Sequence, residues 1–422
     1  MSQEIPVDVL ILGGGIQGIT LLRELTPEYS VILVDNDLRD AESLHFHGYF
    51  SSGWNAANPY AAEAYKKAAH RWQQEMENSG VARQVSGFHA ALPQEMLDIV
   101  QPNWSVAGIA FEETKLPKPF SSSRLPEHRS FRFAGDLVFE DAEVYRSVAT
   151  SVRQYIFRGQ VASFSNDGLC IKEATLDLGL GGRSCRIKPE LVISACGAGN
   201  TTVLEQLQLS AEQVQNAQLV RPLHMLLARG PSTPAVSAFL IDLVVMFHPL
   251  EGDEGLWILT LNPEHPEFRA GPIDMHIPPE IDRDLLRTSI ERLSQAMSDE
   301  NFTSWAEGCQ WSVYVGWKTD APGPEGGPLM QLSYPCPYHL NDFGLQNFLA
   351  VWPNHWGLAI NAAEEAGEWV RTRLSSKHPQ PSKVGGVSPI GDRDLLISNK
   401  WQRQELPWRS WSEFTQWVGY HP

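Results

Sequence analysis

Gly13-Gly14-Gly15-Ile16-Gln17-Gly18 has the residue types and spacing that allow a backbone to hold a pyrophosphate. The two phosphate charges are held by N–H groups at a helix N-terminus, where the helix dipole also favours them, provided the chain comes close. Only glycine allows that approach. Gly13 serves the tight turn, Gly15 admits the pyrophosphate, and Gly18 lets the helix pack on its strand. Asp35, seventeen residues after Gly18, is placed to accept hydrogen bonds from a ribose, with Asn36 beside it. The pattern points to a dinucleotide and does not by itself separate FAD from NAD. The other candidates for chemistry are His45 and His47, His224, His248, Lys318 and His355. Imidazole titrates near neutrality and suits proton transfer or hydrogen bonding, and an ammonium suits an anion.

The elements that must position these residues follow from apolar spacing. Val7 to Leu12 reads as a strand, Ile19, Leu22 and Leu25 continue at helical spacing, Pro27 closes the helix, and Val31 to Val34 is a second strand. This is a βαβ unit. Helices are predicted over Ala61 to Met76 and Ala142 to Ile156, loops over Lys115 to Glu127, and a buried strand over Glu190 to Ala195 followed by a helix from Thr201 to Leu207. The runs Met225 to Leu227, Leu240 to Phe247 and Leu256 to Leu261, bounded by Pro and Gly, suit an antiparallel sheet and a substrate domain. Phe348 to Trp352 is a further strand, with a helix from Gly357 to about Leu374 and a Pro, Gly and Ser-rich linker from Lys377 to Gly391.

The last segment, Trp401 to Pro422, is dense in aromatics, and Trp411, Phe414, Trp417 and Val418 share one face of a short helix if Ser410 caps it. Such a stripe needs cover. The body of the same chain is the first expectation, a homodimer contact the second and a membrane surface the third, with a lid over the substrate entrance as a further reading.

Length and composition bound the rest. A chain of 422 residues suits two domains sharing a site. Fifty acidic against thirty-three basic residues give a formal charge of -17, which disfavours nucleic acid and anionic lipid as partners. Five widely spaced cysteines without a CxxC pair argue against a disulfide framework and a metal site, and fit a reducing compartment. Residues Phe343 to Ala363 form the longest stretch free of Asp, Glu, Lys and Arg, but Gln346, Pro353, Asn354 and His355 make it a poor membrane span. The expectation is a cytoplasmic protein with no export signal.

Four segments carry a resemblance to the FAD oxidoreductases of the D-amino-acid oxidase and glycine oxidase type. They are the N-terminal βαβ unit; Glu140-Asp141-Ala142-Glu143-Val144-Tyr145; Val192-Ile193-Ser194-Ala195-Cys196-Gly197-Ala198-Gly199; and the stretch from Gly316 to Ala366. The resemblance implies FAD, held by Gly13, Gly15, Ile16, Gln17, Gly18, Asp35 and Asn36, with Val161 at the adenine and Gly197 on the strand returning under the cofactor. It also implies that Asn354-His355-Trp356-Gly357-Leu358 leads into a helix whose N-terminus faces the flavin pyrimidine. Ser43-Leu44-His45-Phe46-His47-Gly48 falls where the family lays an extended segment beside the flavin, so that His45 and His47 point to one side. Some relatives join a histidine covalently to the flavin. Either residue is a candidate for that, although simple hydrogen bonding is the preferred reading. In Gly316-Trp317-Lys318-Thr319-Asp320, Lys318 stands where the family usually has an arginine reaching the substrate carboxylate, which replaces a bidentate grip with a point charge. His224 and His248 resemble positions on strands that floor the substrate cavity, and Trp257, Trp311 and Trp317 line an aromatic pocket or are ordinary core.

The resulting expectation is an α/β chain, α+β overall, with a Rossmann-like FAD-binding domain of the glutathione-reductase-2 type and an inserted antiparallel-sheet substrate domain. The FAD-binding domain takes residues 1–78, 138–219 and 316–376, the substrate domain 79–137 and 220–315, and residues 377–422 form a linker and aromatic tail. The expected reaction is removal of hydride from a small amine or amino acid, with the flavin reoxidised by oxygen or another acceptor. Alternatives are a hydroxyl substrate of the glycerol-phosphate or 2-hydroxy acid type, a flavin-binding subunit for assembly or electron transfer, and an NAD-dependent dehydrogenase.

Overall fold

The computed structural model describes residues 4–45, 47–81, 87–178, 183–261, 268–274, 277, 279–297, 299–320, 322, 338–375, 378–381, 383–395 and 406–421. Two large sheets organise it. In the first, five parallel strands lie in the order Phe348–Trp352, Ser184–Ser194, Glu4–Leu12, Val31–Asp35 and Ile156–Arg158. Glu4–Leu12 sits in the middle, so the chain leaves it towards one neighbour and the other neighbour returns much later. Val7 to Leu12 is buried on both faces, which explains why this strand is apolar at every position but Asp8 and not alternating; the Asp8 carboxylate is satisfied by the N–H groups of Ser30 and His378. Helices Ile16–Leu25, Asp141–Val152 and Ala359–Arg371 cover one face. The hairpin Gln160–Asn166 and Ile171–Asp177 extends the N-terminal half of Ser184–Ser194 antiparallel.

Among the described residues the second sheet has ten strands, with Arg409–Ser410, Gln310–Asp320, Leu219–Gly230, Gly255–Leu261, Leu243–Pro249 and Ala238–Leu240 as consecutive neighbours, continuing into Phe88–Pro93, His128–Phe133 and Phe111–Glu113. Its pairings are antiparallel except where Ala238–Leu240 meets Phe88–Pro93. One face looks towards the first sheet. The other is packed by helices Arg283–Ala296, Asp299–Gly308 and Trp411–Val418.

The C-terminal helix is capped by Ser410 and Glu413 in a reciprocal capping box and stopped by Gly419 at positive φ. Its stripe is covered by the chain itself: Trp411, Phe414 and Val418 are buried against Trp311 and Phe302, and Trp417 lies under Arg283 and Arg409. This is the face opposite the first sheet, so the helix does not act as a lid. Trp401 lies outside the described residues.

The structure adds three details at the expected boundaries. Gln310–Asp320 runs whole in the second sheet, where eleven consecutive residues pair with Leu219–Arg229, so residues 316–320 lie on the antiparallel sheet. The tail is divided: Gln380 hydrogen-bonds both the N–H and the carbonyl of Val31 at the first sheet, while residues 409–418 join the second. The helix expected to reach Ile156 ends at Val152, because Ile156 begins the edge strand beside Leu33. No helix among the described residues is long and apolar enough to cross a membrane.

Phe414 is fully buried between the tail helix and the sheet. Phe414→Ala should lower stability by about 3 to 5 kcal/mol, the usual range for removing a core aromatic. Denaturant unfolding reads this, and a loss below about 1 kcal/mol would contradict a tail that belongs to the core.

Candidate cofactor and substrate site

All five parallel strands send their carboxyl ends to one cavity of about 1510 Å³ between the two sheets. Gly13 to Gln17 follow the central strand, Asp35 and Asn36 end the next, Val161 follows the edge strand, Gly197 follows Ser184–Ser194, and Asn354, His355 and Trp356 follow Phe348–Trp352. Open α/β sheets bind ligands at this edge, where connections leave a central strand in opposite directions.

The glycine turn is built by close backbone contact. Gly13 has φ +94, and a Cβ there would lie 2.7 Å from the Ala195 carbonyl oxygen; one on Gly18 would lie 1.9 Å from the Gly13 oxygen. Both positions therefore exclude a side chain. The Gly14 N–H donates to Asp35 Oδ2 at 2.6 Å, the Tyr145 hydroxyl donates to the Gly14 carbonyl, and the Ile16 N–H donates to Ser43 Oγ at 3.0 Å. Asp35 thus fastens the turn as well as facing the cavity. Gln17, in the first turn of the helix, is 4 % exposed, and neither atom of its carboxamide has a hydrogen-bond partner among the described residues. A buried, unsatisfied amide costs free energy, and its place beside a cradle that excludes side chains fits a polar group held there.

The floor of the cavity is the second sheet, and strand parity decides which residues belong to it. Arg221 pairs with Lys318, Leu223 with Gly316 and Met225 with Tyr314, all lining the cavity; Thr260, Val244 and Phe239 continue the floor on neighbouring strands. His224 has the opposite parity. Its Nε2 accepts from the Asp282 N–H at 2.9 Å, where Asp282 caps helix Arg283–Ala296, so its expected place at the substrate is corrected: it anchors the layer behind the sheet. His248 faces the first sheet but is buried beneath the turn at Gly48, with Nε2 2.9 Å from the His47 carbonyl, and does not line the cavity. Trp257 and Trp311 are core, whereas Trp317 does line the cavity.

The expected extended segment at His45 and His47 is also corrected. Glu42–His45 is a 3-10 turn, because Ser43 is held at the first helix and Leu44 is buried in the core. His45 stacks on Tyr314 with ring centroids 4.9 Å apart, His47 lies beside Tyr49, and both still line the cavity. Gly357 and Leu358 stand behind the wall. A Cβ on Gly357 would meet the Phe50 ring at 2.5 Å, and the Gly357 carbonyl accepts from Trp72 Nε1.

Sequence reasoning missed Arg221. Its signal was available only through pairing: Lys318 and Arg221 are directly opposite, and Asp320 stands on the same face two residues on, with Oδ1 bonded to Lys318 Nζ and Oδ2 3.7 Å from Arg221 Nε. Burial, and then the charges of Lys318, His47 and Arg221, hold His355 well below the usual imidazole range, so it is neutral at pH 7. Burial pushes the Cys196 thiol up to about 12, which leaves it unreactive, and pushes Asp136 up to about 6 although Ser52, Tyr49 and Trp54 donate to its carboxylate.

Residues 8–341 match the FAD dependent oxidoreductase family, and the chain belongs to it. It is an FAD-dependent oxidoreductase. A probable FAD-dependent oxidoreductase of Pseudomonas aeruginosa is 24% identical over 290 residues, covering 61% of this chain and 69% of the relative. The crystal structure of that protein aligns with a TM-score of 0.61, at 18% identity, over 90% of this chain and 97% of the other. An L-proline dehydrogenase from P. horikoshii aligns with a TM-score of 0.66, at 12% identity, over 88% and 95%. An L-α-glycerophosphate oxidase from Mycoplasma pneumoniae aligns with a TM-score of 0.65, at 15% identity, over 92% and 99%.

Gly18→Ala should yield protein that purifies without flavin, since the added methyl cannot fit beside the Gly13 carbonyl. Absorbance of bound FAD measures this, and full occupancy would contradict the role of the turn. Asp136 holds its proton up to about 6 when folded, against about 4 when unfolded. Protonation therefore favours the fold, and stability falls as pH rises through that window. Asp136→Asn should flatten this part of the pH–stability curve, and an unchanged slope would show that the carboxyl does not titrate there.

Proposed function

We propose that the protein oxidises a small amine or amino acid at its C–N bond, with the substrate's anionic group held by Arg221 and Lys318. The observation that carries this reading is their cross-strand pairing on the cavity face of the substrate sheet. Arg221 supplies the planar, bidentate donor that Lys318 alone lacks. Leu223, Met225, Val244 and Phe239 give the floor beside them an apolar surface that excludes water from the reacting carbon.

The residues that would hold FAD are the Gly13–Gly18 turn at the pyrophosphate, with Gln17 offering its carboxamide, Asp35 at the ribose, Val161 at the adenine, and the Asn354–Trp356 loop opening helix Ala359–Arg371 at the flavin. Bound FAD supplies the two-electron acceptor for a hydride from the carbon next to nitrogen. The neutral His355 contributes hydrogen bonding and no charge. We favour non-covalent FAD: His45 is already stacked on Tyr314, and the backbone at His47 is tied to His248. Acid precipitation should therefore release the flavin to the supernatant, and flavin retained in the pellet would overturn this point.

The likeness to a glycerophosphate oxidase supports a hydroxyl substrate as the second reading. Release of ammonia or amine on turnover separates the two. Arg221→Gln and Lys318→Met should each raise KM for an amino acid by roughly 10- to 100-fold, the cost of a charge-assisted hydrogen bond, with flavin content unchanged. Unchanged KM in both variants would remove the anion anchor.

A further inference from the structure

We infer that the site selects substrates bearing a single negative charge, and that Asp320 sets this limit by cancelling one of the two cations of the anchor. The inference rests on the reading of Arg221 and Lys318 as the anchor and goes beyond it to the charge of the substrate.

Asp320 and Lys318 are two residues apart on one strand and therefore face the same side, and Arg221 is directly opposite Lys318. The Asp320 side chain is 2% exposed, against 18% for Lys318 and 14% for Arg221. The carboxylate is thus spent on the two cations, and the exposure that remains belongs to the cations. Two positive charges and one negative leave a net charge of one at a desolvated position. In a medium of low dielectric, a monoanion completes the neutralisation. A dianion would leave an excess charge and would face the Asp320 carboxylate as well. His355 adds no compensating charge because it is neutral at pH 7. Glu42 also lines the cavity, with its carboxylate accepting from the Tyr314 hydroxyl, and both it and Asp274 are exposed residues whose charge water screens. A carboxylate on an otherwise uncharged amine meets these terms, whereas a phosphate ester does not.

The test compares two tetrahedral anions of the same shape, methanesulfonate and methylphosphonate, titrated into the FAD-loaded protein at a pH where the phosphonate is doubly ionised. The readouts are calorimetry and perturbation of the flavin spectrum. The wild type should bind the sulfonate roughly tenfold more tightly. Asp320→Asn, which leaves a net charge of two, should shift the ratio at least tenfold towards the phosphonate, and Lys318→Met, which leaves none, should lose both anions. A wild type that prefers the phosphonate, or an Asp320→Asn protein with an unchanged ratio, overturns the inference even if the anchor stands. If neither anion binds the wild type and KM is unmoved in Arg221→Gln and Lys318→Met, the anchor itself fails. Should Asp320→Asn lose its flavin, the wild-type preference and the Lys318→Met titration still decide.

Discussion

Gly18 lies so close to the carbonyl of Gly13 that no side chain fits between them, and Gly13 in turn lies against the carbonyl end of Ser184–Ser194 at Ala195. Everything else in the cofactor half depends on that contact. It brings the first helix down onto the central strand, aims the helix N-terminus at the cavity, and leaves the first-turn carboxamide of Gln17 buried without a partner among the described residues. Asp35 and Tyr145 then fix the peptide at Gly14 from two other elements. A turn so constrained accepts only a ligand that can use its backbone N–H groups, which is why a close-packed structural feature is also a binding site.

The substrate half depends on a different constraint, the two-residue period of a β-strand. Between Leu219–Gly230 and Gln310–Asp320, one parity carries Arg221, Leu223, Met225, Tyr314 and Lys318 to the cavity, and the other carries His224, Trp311 and Val313 to the helical layer behind. The aromatic tail helix completes that layer, so its stripe serves the sheet from behind and not the site. Glu42 links the halves by accepting from the Tyr314 hydroxyl at 3.0 Å, and Gly316 leaves room for it: a Cβ there would lie 2.9 Å from Glu42 Oε2.

What the sequence made legible was set by range. The βαβ unit, its glycines and Asp35 are local, and spacing alone places them. The last strand and helix were legible for the same reason. The register of the second sheet was not, because it depends on which residues of distant strands pair; His224 therefore stood among the candidates although sequence could not fix which face it takes, and Arg221 passed unnoticed. The turn at Glu42–His45 was hidden because it follows from Ser43 accepting from Ile16, a contact across 27 residues. Ile156 continued a helical apolar pattern by chance of spacing, and only its pairing with Leu33 makes it a strand.

The most direct test of the account is the visible spectrum of the FAD-loaded protein, followed in the absence of oxygen while neutral amino acids, secondary amines and hydroxy acids are added in turn. The flavin bands should bleach with a carboxylate-bearing amine. Bleaching by hydroxy acids or phosphate esters alone would contradict it.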